Sequence, residues 1–371
     1  MIDPTPLVAA LPANKPFVGP EELARAAGLV SLIRLGANES AFGPPPRALA
    51  AMRAEMANIA FYGDPEVLDL RTALARKHGC TTGEIAIGSG IDDLLGLVVR
   101  AYLAPGDVTV ATRGSYPTYV YHVDAFGALL ETVPYAADGT VRLDALAARA
   151  HETHARVVYL ANPDNPSGTF AARPDVAAFV HALPTHALLV LDEAYGDFVA
   201  PRDLIADGVH DNVVRMRTFS KAYGLAGARV AYAIAPRGVV ASLDKIRHHF
   251  GVNRIAQIGA LAALDDREFV RDVVAEVARG RDEYTRVAAR HGCATIVSST
   301  NFVCIDCDSR ARAEAVVASL LARGIFVRKP ALAPLDGYIR VTVGTAPERA
   351  HFAEAFAGAL AQCDENVPAP R

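Results

Sequence analysis

The sequence predicts an α/β fold with a mostly parallel, doubly wound sheet in a large domain and a smaller C-terminal α/β domain. From about residue 46 to residue 245, short apolar runs alternate with helical patterns, as do the buried strands and covering helices of a parallel sheet. After residue 246 a long helical stretch precedes a second, shorter alternation. We therefore expect an N-terminal arm with a turn-rich loop over 1–45, a large domain over 46–245 and a small domain over 246–371.

Each predicted element follows from the spacing of its apolar residues. Short, largely apolar runs predict strands at 84–87, 108–111, 129–133, 157–160, 188–191, 213–216 and 230–234. Apolar residues at helical spacing predict helices at 65–78, 92–103, 143–151 and 172–182. A helical stretch then runs from about 236 to 289, followed by strands at 301–307, 325–328 and 338–343 and helices at 310–323 and 347–362.

The composition excludes several classes of protein. The 371 residues carry a formal net charge of −4, without a basic stretch of the kind that binds nucleic acid. No apolar run reaches the roughly 18 residues that cross a membrane. The first residues lack the basic start and apolar core of a signal peptide. We expect a cytoplasmic protein that binds neither nucleic acid nor membranes.

The cysteines and histidines predict neither a disulfide framework nor a metal site. The five cysteines are an odd number. Cys304 and Cys307 have the spacing of a redox or metal-binding pair, but they fall inside a predicted strand, and no second pair completes a zinc site. The 11 histidines show no ligand spacing such as H-E-x-x-H.

Lys221 is the most informative residue of the chain. It follows the apolar run 213–216 and Ser220, and a small-residue segment leads from it to Arg229. A buried lysine beside cationic groups has a lowered pKa and becomes a nucleophile, and hydroxyls with an arginine suit a phosphate. A lysine with a phosphate anchor is what a pyridoxal phosphate (PLP) Schiff base needs. The alternative is an ordinary exposed lysine in a loop.

Polar residues follow three of the predicted strands, at the edge where a doubly wound sheet binds ligands. They are Asn165, then Asp192 with Tyr195, and then Lys221. An aspartate that closes a buried strand needs a partner, and the protonated ring nitrogen of PLP is one. Taken singly, Asp192 could be a helix cap and Asn165 part of a simple turn. Together, in this order, they favour a PLP site.

A glycine-rich turn opens the helix predicted at 92–103. Gly88, Ser89 and Gly90 precede this helix, and the free amides of a helix N-terminus bind phosphate. The turn lacks the third glycine of a dinucleotide-binding motif. Capping of the helix by Ser89 or Asp92 is the alternative interpretation.

These motifs together resemble those of the fold-type I PLP-dependent aminotransferases, most closely the histidinol-phosphate aminotransferase-like group. The resemblance extends from Asn38 to about Val343. It rests on Asn38-Glu39-Ser-Ala-Phe-Gly-Pro, Tyr62-Gly-Asp-Pro, Pro117-Thr118-Tyr119, Asn165-Pro-Ser-Gly, Asp192-Glu-Ala-Tyr195, Ser220-Lys221 with Arg229, and Arg340-Val-Thr-Val-Gly. It implies the fold-type I architecture, a homodimer, and transfer of an amino group between a small donor and a keto acceptor.

The resemblance also implies roles for the residues around the cofactor. Lys221 would carry PLP as a Schiff base and then move a proton at the substrate's α-carbon. Asp192 would pair with the ring nitrogen, Asn165 and Tyr195 would hydrogen-bond the phenolic oxygen, and Tyr119 would stack on the ring. The implied phosphate ligands are Gly90, Ile91, Asp92, Thr218, Ser220 and Arg229, with Tyr62 from the second subunit.

The residues that the resemblance implies for substrate binding lie elsewhere. Arg340 would bind the α-carboxylate of glutamate, Arg328 would lie nearby, and Asn38 belongs to the loop that covers the site. Ile91 stands where the group often has serine. Arg254 stands where a smaller residue is usual, and could bind a second anionic group or fill the pocket. The implied partners of glutamate/2-oxoglutarate are histidinol phosphate or an aromatic amino or keto acid, with a broad or altered specificity.

Two other functions are compatible with the same motifs. A related branch decarboxylates phosphorylated amino acids and has a similar lysine motif. Conversion of glutamate alone, as against release of carbon dioxide, separates the two reactions. A PLP-binding regulatory module would carry a DNA-binding domain, for which the first 35 residues are too few.

Overall fold

The structure, a computed structural model, describes residues 2–12 and 18–365. Parts of the predicted N-terminal arm and of the predicted small domain lie outside the described residues, namely residues 1, 13–17 and 366–371. The described helices are α1 (Pro6–Ala10), α2 (Pro20–Ala26), α3 (Pro46–Glu55), α4 (Leu68–His78), α5 (Ile91–Tyr102), α6 (Pro117–Ala125), α7 (Leu143–Glu152), α8 (Arg173–Ala182), α9 (Arg237–Asp244), α10 (Arg254–Asp265), α11 (Arg267–Arg290), α12 (Arg310–Ala322) and α13 (Ala346–Glu365). The described strands are β1 (Ile33–Arg34), β2 (Ile85–Gly88), β3 (Val108–Thr112), β4 (Leu129–Val133), β5 (Val157–Ala161), β6 (Leu188–Asp192), β7 (Val213–Thr218), β8 (Ala231–Ile234), β9 (Phe302–Asp306), β10 (Ile325–Phe326) and β11 (Tyr338–Thr342).

A large central sheet is built in the order β2-β8-β7-β6-β5-β3-β4. β7, β6, β5, β3 and β4 are parallel to one another, whereas β8 is antiparallel to its neighbours β7 and β2. Apolar side chains of α5, α6 and α9 pack on one face of the sheet, and those of α7 and α8 on the other. The prediction of a mostly parallel sheet covered on both faces is confirmed.

The carboxyl ends of β5, β6 and β7 lie side by side. In the register of the sheet Ala161 is opposite Asp192, and Asp192 is opposite Met216. All three strands are buried along their length, which explains the apolar runs of β5 and β6, whereas β7 also buries Arg215 and Arg217. The segments that carry Asn165 and Lys221 therefore start from one edge of the sheet, where ligands of this fold class bind.

The C-terminal part of the chain has its own apolar core. β9 and β11 form an antiparallel ladder, and apolar residues of α11, α12 and α13 pack with it. β1 pairs in parallel with β10, so a short segment from the start of the chain joins this part. The predicted domain boundaries at 45 and 245 stay predictions. α10, which lies beyond residue 245, packs on α3 and α4.

Several elements differ from the predicted ones, and α1, α3 and β1 were not predicted. The helical stretch from 236 to 289 consists of α9, α10 and α11, separated at 245–253 and at Asp266. Asn253 caps α10, since its side chain accepts a hydrogen bond from the Ala256 amide. α6 was not predicted, because its closely spaced tyrosines and β-branched valines give a weak helical signal.

The described helices include none that is long and apolar enough to span a membrane. Within residues 2–12 and 18–365, no group of three or more His, Cys, Asp or Glu side chains could hold a metal ion. Cys304 lies inside β9 and Cys307 directly after it, and both are buried. The C-x-x-C spacing of Cys304 and Cys307 therefore arises from a buried strand, as predicted.

Candidate active site

A cavity of about 790 Å³ opens at the carboxyl ends of β5, β6 and β7. The predicted site residues that line it are Asn38, Ile91, Asp92, Asn165, Asp192, Tyr195, Thr218, Ser220, Lys221, Arg229, Arg328 and Arg340. Segments that are far apart in the sequence thus meet in one place. The predicted residues outside its lining are Gly90, Tyr62, Tyr119 and Arg254.

Lys221 reaches the cavity from the loop that follows β7. Its Nζ donates a hydrogen bond to the Asn38 carbonyl at 3.0 Å and lies 5.6 Å from the centre of the Tyr195 ring. Burial, followed by the charge of Arg340, lowers the pKa of Lys221 to about 8. A large fraction of this amine is therefore neutral, and nucleophilic, at mildly alkaline pH.

Asp192 ends β6 and is almost completely buried. Burial raises its pKa to about 6. Hydrogen bonds from the Tyr159 hydroxyl to Oδ2 at 2.8 Å and from the Ala194 amide to Oδ1 at 3.0 Å oppose that rise. Asp192 is thus mostly a carboxylate at neutral pH, in a position where an unpartnered charge would be costly.

Asn38 links the Tyr195 side of the cavity to β11. Its Nδ2 donates to the Tyr195 hydroxyl at 2.8 Å, and its Oδ1 accepts from the Thr342 hydroxyl at 3.0 Å. Burial raises the pKa of Tyr195 to about 12, which keeps the phenol protonated. Asn38 is itself buried and has a left-handed backbone (φ 54°), which asparagine tolerates. It is therefore a fixed part of the wall.

Arg340 and Arg328 reach the cavity from neighbouring backbone segments. Arg340 donates to Asn165 Oδ1 and to the Gly36 carbonyl, and its guanidinium lies 5.2 Å from the centre of the Phe302 ring. Its Nε is buried and has no hydrogen-bond partner among the described residues. Arg328 forms an antiparallel bridge with Arg340 and donates to the Val18 carbonyl at 2.9 Å. Two guanidinium groups thus face one side of the cavity.

The N-terminus of α5 forms the opposite end of the cavity, together with the loop of Lys221. Gly90 caps the helix with a positive φ of 91°, and a Cβ there would collide with the guanidinium of Arg229. Arg229 Nη2 lies 3.4 Å from Asp92 Oδ2. The Thr218 hydroxyl donates to Ser220 Oγ at 3.0 Å. Free helix amides, two hydroxyls and a guanidinium make an anion-binding pocket.

The structure does not bring Tyr119, which is predicted to stack on a cofactor ring, into the lining of the cavity. Its side chain is fully buried beneath the cavity, with its ring stacked on Tyr159 at 4.6 Å and its hydroxyl bonded to Thr109. Tyr116 lines the cavity instead, and its hydroxyl donates to Asp92 Oδ1 at 2.7 Å. The reason is that α6 begins at Pro117, so that Tyr116 stays in the preceding turn while Tyr119 turns into the core.

Tyr62 and Arg254 lie together outside the cavity. Tyr62 is 77% exposed and stacks on Phe250, with ring centres 4.5 Å apart. Arg254 pairs with Glu55 and donates to the Tyr62 carbonyl at 3.1 Å. Within its own chain Arg254 does not line the cavity, and its guanidinium is paired with Glu55.

The residues that line the cavity but were not predicted include Arg113, Tyr116, Tyr159 and Lys329. The sequence could have indicated Tyr159, since it is a tyrosine in an aliphatic run, two residues before the end of β5. Lys329 precedes Pro330, and no local pattern marks it as a site residue. Nothing in the sequence around Arg113 indicates that it reaches this cavity.

The fold and the site define a class of protein, in which a parallel sheet carries a nucleophilic lysine and an anion pocket at its carboxyl edge. The family model described as aminotransferase class I and II matches residues 30–356. The chain belongs to this family.

Relatives of similar length agree with this assignment. The chain is 38% identical over 368 residues to "Histidinol-phosphate aminotransferase 2" of Ralstonia nicotianae, covering 96% of each chain. It is 35% identical over 351 residues to the protein of the same name from Carboxydothermus hydrogenoformans, covering 92% of this chain and 96% of the relative. The comparisons give no support to the decarboxylase alternative.

Solved structures show the same architecture. Histidinol-phosphate aminotransferase from Sinorhizobium meliloti, solved in complex with pyridoxal-5'-phosphate, is 44% identical with a TM-score of 0.92, over 96% of this chain and 97% of the other. Aspartate aminotransferase from Thermus thermophilus, solved with maleate, has a TM-score of 0.81 at 21% identity, over 99% and 100% of the two chains. The second likeness concerns the fold alone, and both confirm the expected fold-type I architecture.

Proposed function

We propose that this chain is a PLP-dependent aminotransferase that exchanges an amino group between glutamate/2-oxoglutarate and histidinol phosphate or a related amino or keto compound. The observation that carries the proposal is the position of Lys221. Its amine, with a pKa lowered to about 8, shares one cavity with the buried carboxylate of Asp192 and the anion pocket at the start of α5. The relative from S. meliloti, solved with pyridoxal-5'-phosphate, supports the same cofactor here.

The residues of the cavity fit PLP group by group. An aldehyde needs an amine, which Lys221 provides, and a basic ring nitrogen needs a carboxylate, which Asp192 provides. The phenolic oxygen is matched by the Tyr195 hydroxyl and the Asn165 amide. The phosphate is matched by the anion pocket, where the missing Cβ of Gly90 leaves room for Arg229 beside the helix amides.

We assign the remaining contacts by the same matching. Tyr116, in the turn before α6, takes the ring-stacking role that the resemblance implies for Tyr119. Ile91 lacks the hydroxyl of serine, but its backbone amide is one of the free donors in the first turn of α5, so the pocket keeps a contact there. The phosphate ligands of this proposal are Gly90, Ile91, Asp92, Thr218, Ser220 and Arg229.

Proton transfer falls to Lys221. When bound, PLP would supply an electron-withdrawing group for the substrate's amine, which would displace the Lys221 amine from the cofactor. The released Lys221 Nζ would take the α-proton, for which it must be neutral, and its pKa of about 8 allows this at near-neutral pH. Asp192 holds a positive charge on the ring nitrogen during the transfer.

Substrate binding rests on the guanidinium groups of the cavity. Arg340 is placed to bind the α-carboxylate of glutamate, since its buried Nε can donate alongside its Nη atoms in a bidentate pair. Arg328 is next to it and suits the second acidic group of glutamate or the phosphate of histidinol phosphate. The names of the relatives support histidinol phosphate as the second substrate.

We also propose a homodimer in which Tyr62 reaches the phosphate pocket of the second subunit. An apolar patch surrounds this tyrosine, and consists of Met56, Ile59, Phe61, Tyr62 and Phe250, each at least half exposed. Patches of this kind mark contacts between proteins. Arg254 supports the patch by holding the Tyr62 carbonyl. Cytoplasmic localisation stays a prediction from the sequence.

A half-reaction with glutamate tests the proposed activity. Holoenzyme given glutamate alone should form one equivalent of 2-oxoglutarate per active site, and should then be recharged by the keto form of histidinol phosphate or by an aromatic keto acid. Release of carbon dioxide without 2-oxoglutarate would identify a decarboxylase. Turnover of glutamate with neither class of acceptor would contradict the proposed specificity but leave the transaminase assignment intact.

The variant Arg340→Ala tests the carboxylate contact. It should raise the KM for glutamate and lower kcat/KM by roughly 30-fold or more, as for a lost buried charge pair. Arg156→Ala, at an exposed arginine outside the cavity, is the matched control and should behave like the wild type. Normal handling of glutamate by Arg340→Ala would rule out Arg340 as the anchor.

A further inference from the structure

Tyr159 lies directly below Asp192, on the neighbouring strand. Ala161 is the register partner of Asp192, and Tyr159 precedes Ala161 by two residues, so all three lie on the same face of the sheet. The Tyr159 hydroxyl donates to Asp192 Oδ2 at 2.8 Å. The tyrosine is 1% exposed, yet it forms part of the cavity wall. A tyrosine at this place, in an otherwise aliphatic strand, thus directs its one polar atom at Asp192.

The ring of Tyr159 is fixed by its surroundings. It stacks on Tyr119 with ring centres 4.6 Å apart and planes 15° apart. The Thr109 hydroxyl donates to the Val157 carbonyl at 2.8 Å, which leaves the Tyr119 hydroxyl to donate to Thr109. Tyr119 therefore supports the ring of Tyr159 but makes no contact with Asp192 through its own hydroxyl.

We propose, building on the PLP-dependent activity proposed above, that Tyr159 is a positioning residue that holds Asp192 ionised and aimed at the cofactor's ring nitrogen through its hydroxyl. A carboxylate and a pyridine nitrogen in contact share one proton, which resides on the less acidic group. A hydrogen bond to the carboxylate stabilises its charged form and keeps the proton on the ring. The protonated ring is the better electron sink.

The other groups that face Asp192 cannot replace this contact. Lys221, from the loop after β7, lowers the pKa of Asp192 by its charge, and Asp92, from α5, raises it. Tyr195 follows Asp192 in the chain, but its hydroxyl accepts from Asn38. The Ala194 amide binds the other oxygen, Oδ1. Among the described side chains, Tyr159 is the hydrogen-bond donor to the Asp192 carboxylate.

The test compares Tyr159→Phe with Tyr119→Phe. Each variant loses one buried hydroxyl and keeps the stacked rings, but only Tyr159→Phe removes the donor to Asp192. The holoenzymes are prepared with PLP labelled with ¹⁵N at the ring nitrogen, because the ¹⁵N chemical shift distinguishes a protonated pyridine from a neutral one. In Tyr159→Phe the signal should move toward the neutral value, and kcat should fall roughly tenfold or more with little change in KM, since a hydrogen bond to a charged group is lost. Tyr119→Phe should match the wild type in both measurements.

A second variant covers the case in which Tyr159→Phe does not fold. 3-Fluorotyrosine at position 159 keeps the ring and the hydroxyl but makes the hydroxyl a stronger donor, so the ring nitrogen should stay protonated to a higher pH than in the wild type. Unchanged ring protonation in Tyr159→Phe or in the fluorinated protein would overturn the proposal, as would an equal shift in Tyr119→Phe. Wild-type protein that binds no PLP would overturn the proposed function as well, so the two failures are distinguishable.

Discussion

The ion pair between Arg215 and Glu193 is buried next to the proposed site. Glu193 follows Asp192 directly, and the side chains of both members of the pair are only 1% exposed. Arg215 Nη2 lies 3.0 Å from Glu193 Oε2, and Arg215 Nη1 donates to the Ala206 carbonyl at 3.0 Å. Replacement of Arg215 by methionine keeps a long apolar side chain but leaves the Glu193 carboxylate buried without its main partner.

The cost of this change can be estimated from the distances. Two unit charges 3.0 Å apart attract by about 5 kcal/mol at an effective dielectric constant of about 20. Arg217 Nη1 remains 3.8 Å from Glu193 Oε2, but it also pairs with Asp197, so it compensates only in part. Breaking a buried pair by removing one partner costs about 3–5 kcal/mol. We therefore expect Arg215→Met to lower the free energy of unfolding by about 3 kcal/mol, the low end of that range.

Urea unfolding of the apoenzyme measures the loss in the free energy of unfolding caused by Arg215→Met. Unfolding is followed by circular dichroism because the chain has no tryptophan. Arg310→Met is the matched control, since it breaks an exposed pair with Glu314 and should cost less than about 1 kcal/mol. The double variant Arg215→Met/Glu193→Gln should recover part of the loss, because no charge is left unpaired. Equal stability of Arg215→Met and Arg310→Met would refute this reasoning, as would a double variant that is less stable than Arg215→Met.

Two further predictions concern the cofactor and the dimer. Asp192→Asn should still bind PLP, but should slow the release of the α-proton from glutamate by about 100- to 1000-fold in single-turnover measurements, and a rate within a few-fold of the wild type would give Asp192 another role. Phe61→Asp, within the apolar patch, should shift the sedimentation of the protein from dimer to monomer, whereas Val297→Asp, at a more exposed apolar residue elsewhere, should not. A wild-type protein that sediments as a fully active monomer at micromolar concentration would contradict the dimer.

The sequence predicts the sheet well because most of its strands, though not the edge strand β4, are buried on both faces. The apolar runs predict β5, β6 and β7 directly. The rules of doubly wound sheets then predict that the carboxyl ends of these strands share one edge of the sheet. The order of the strands and the antiparallel β8 depend on long-range pairing, which local patterns do not encode. The same holds for β1, whose two residues pair with β10 from the other end of the chain.

The candidate site is predictable where a residue follows a buried strand, and less so elsewhere. Asp192 and Lys221 follow such strands, so local sequence indicates where they lie. Tyr119 and Tyr116 differ by three residues, and only the start of α6 decides which of them meets the cavity. The position of the Arg254 side chain depends on Glu55, which is 199 residues away in the chain. Contacts of that kind become visible only in three dimensions.

The central claim is that Lys221 is the residue that binds PLP covalently. Reduction of the holoenzyme with borohydride, followed by proteolysis and mass spectrometry, tests it most directly. We predict one modified peptide, with the reduced cofactor on Lys221, and formation of the adduct from apoenzyme and PLP should accelerate with rising pH as the amine is deprotonated around its pKa of about 8. Lys77, whose Nζ donates to the Tyr223 hydroxyl outside the cavity, should stay unmodified. Recovery of the cofactor on Lys77 or Lys245 instead of Lys221 would contradict the claim.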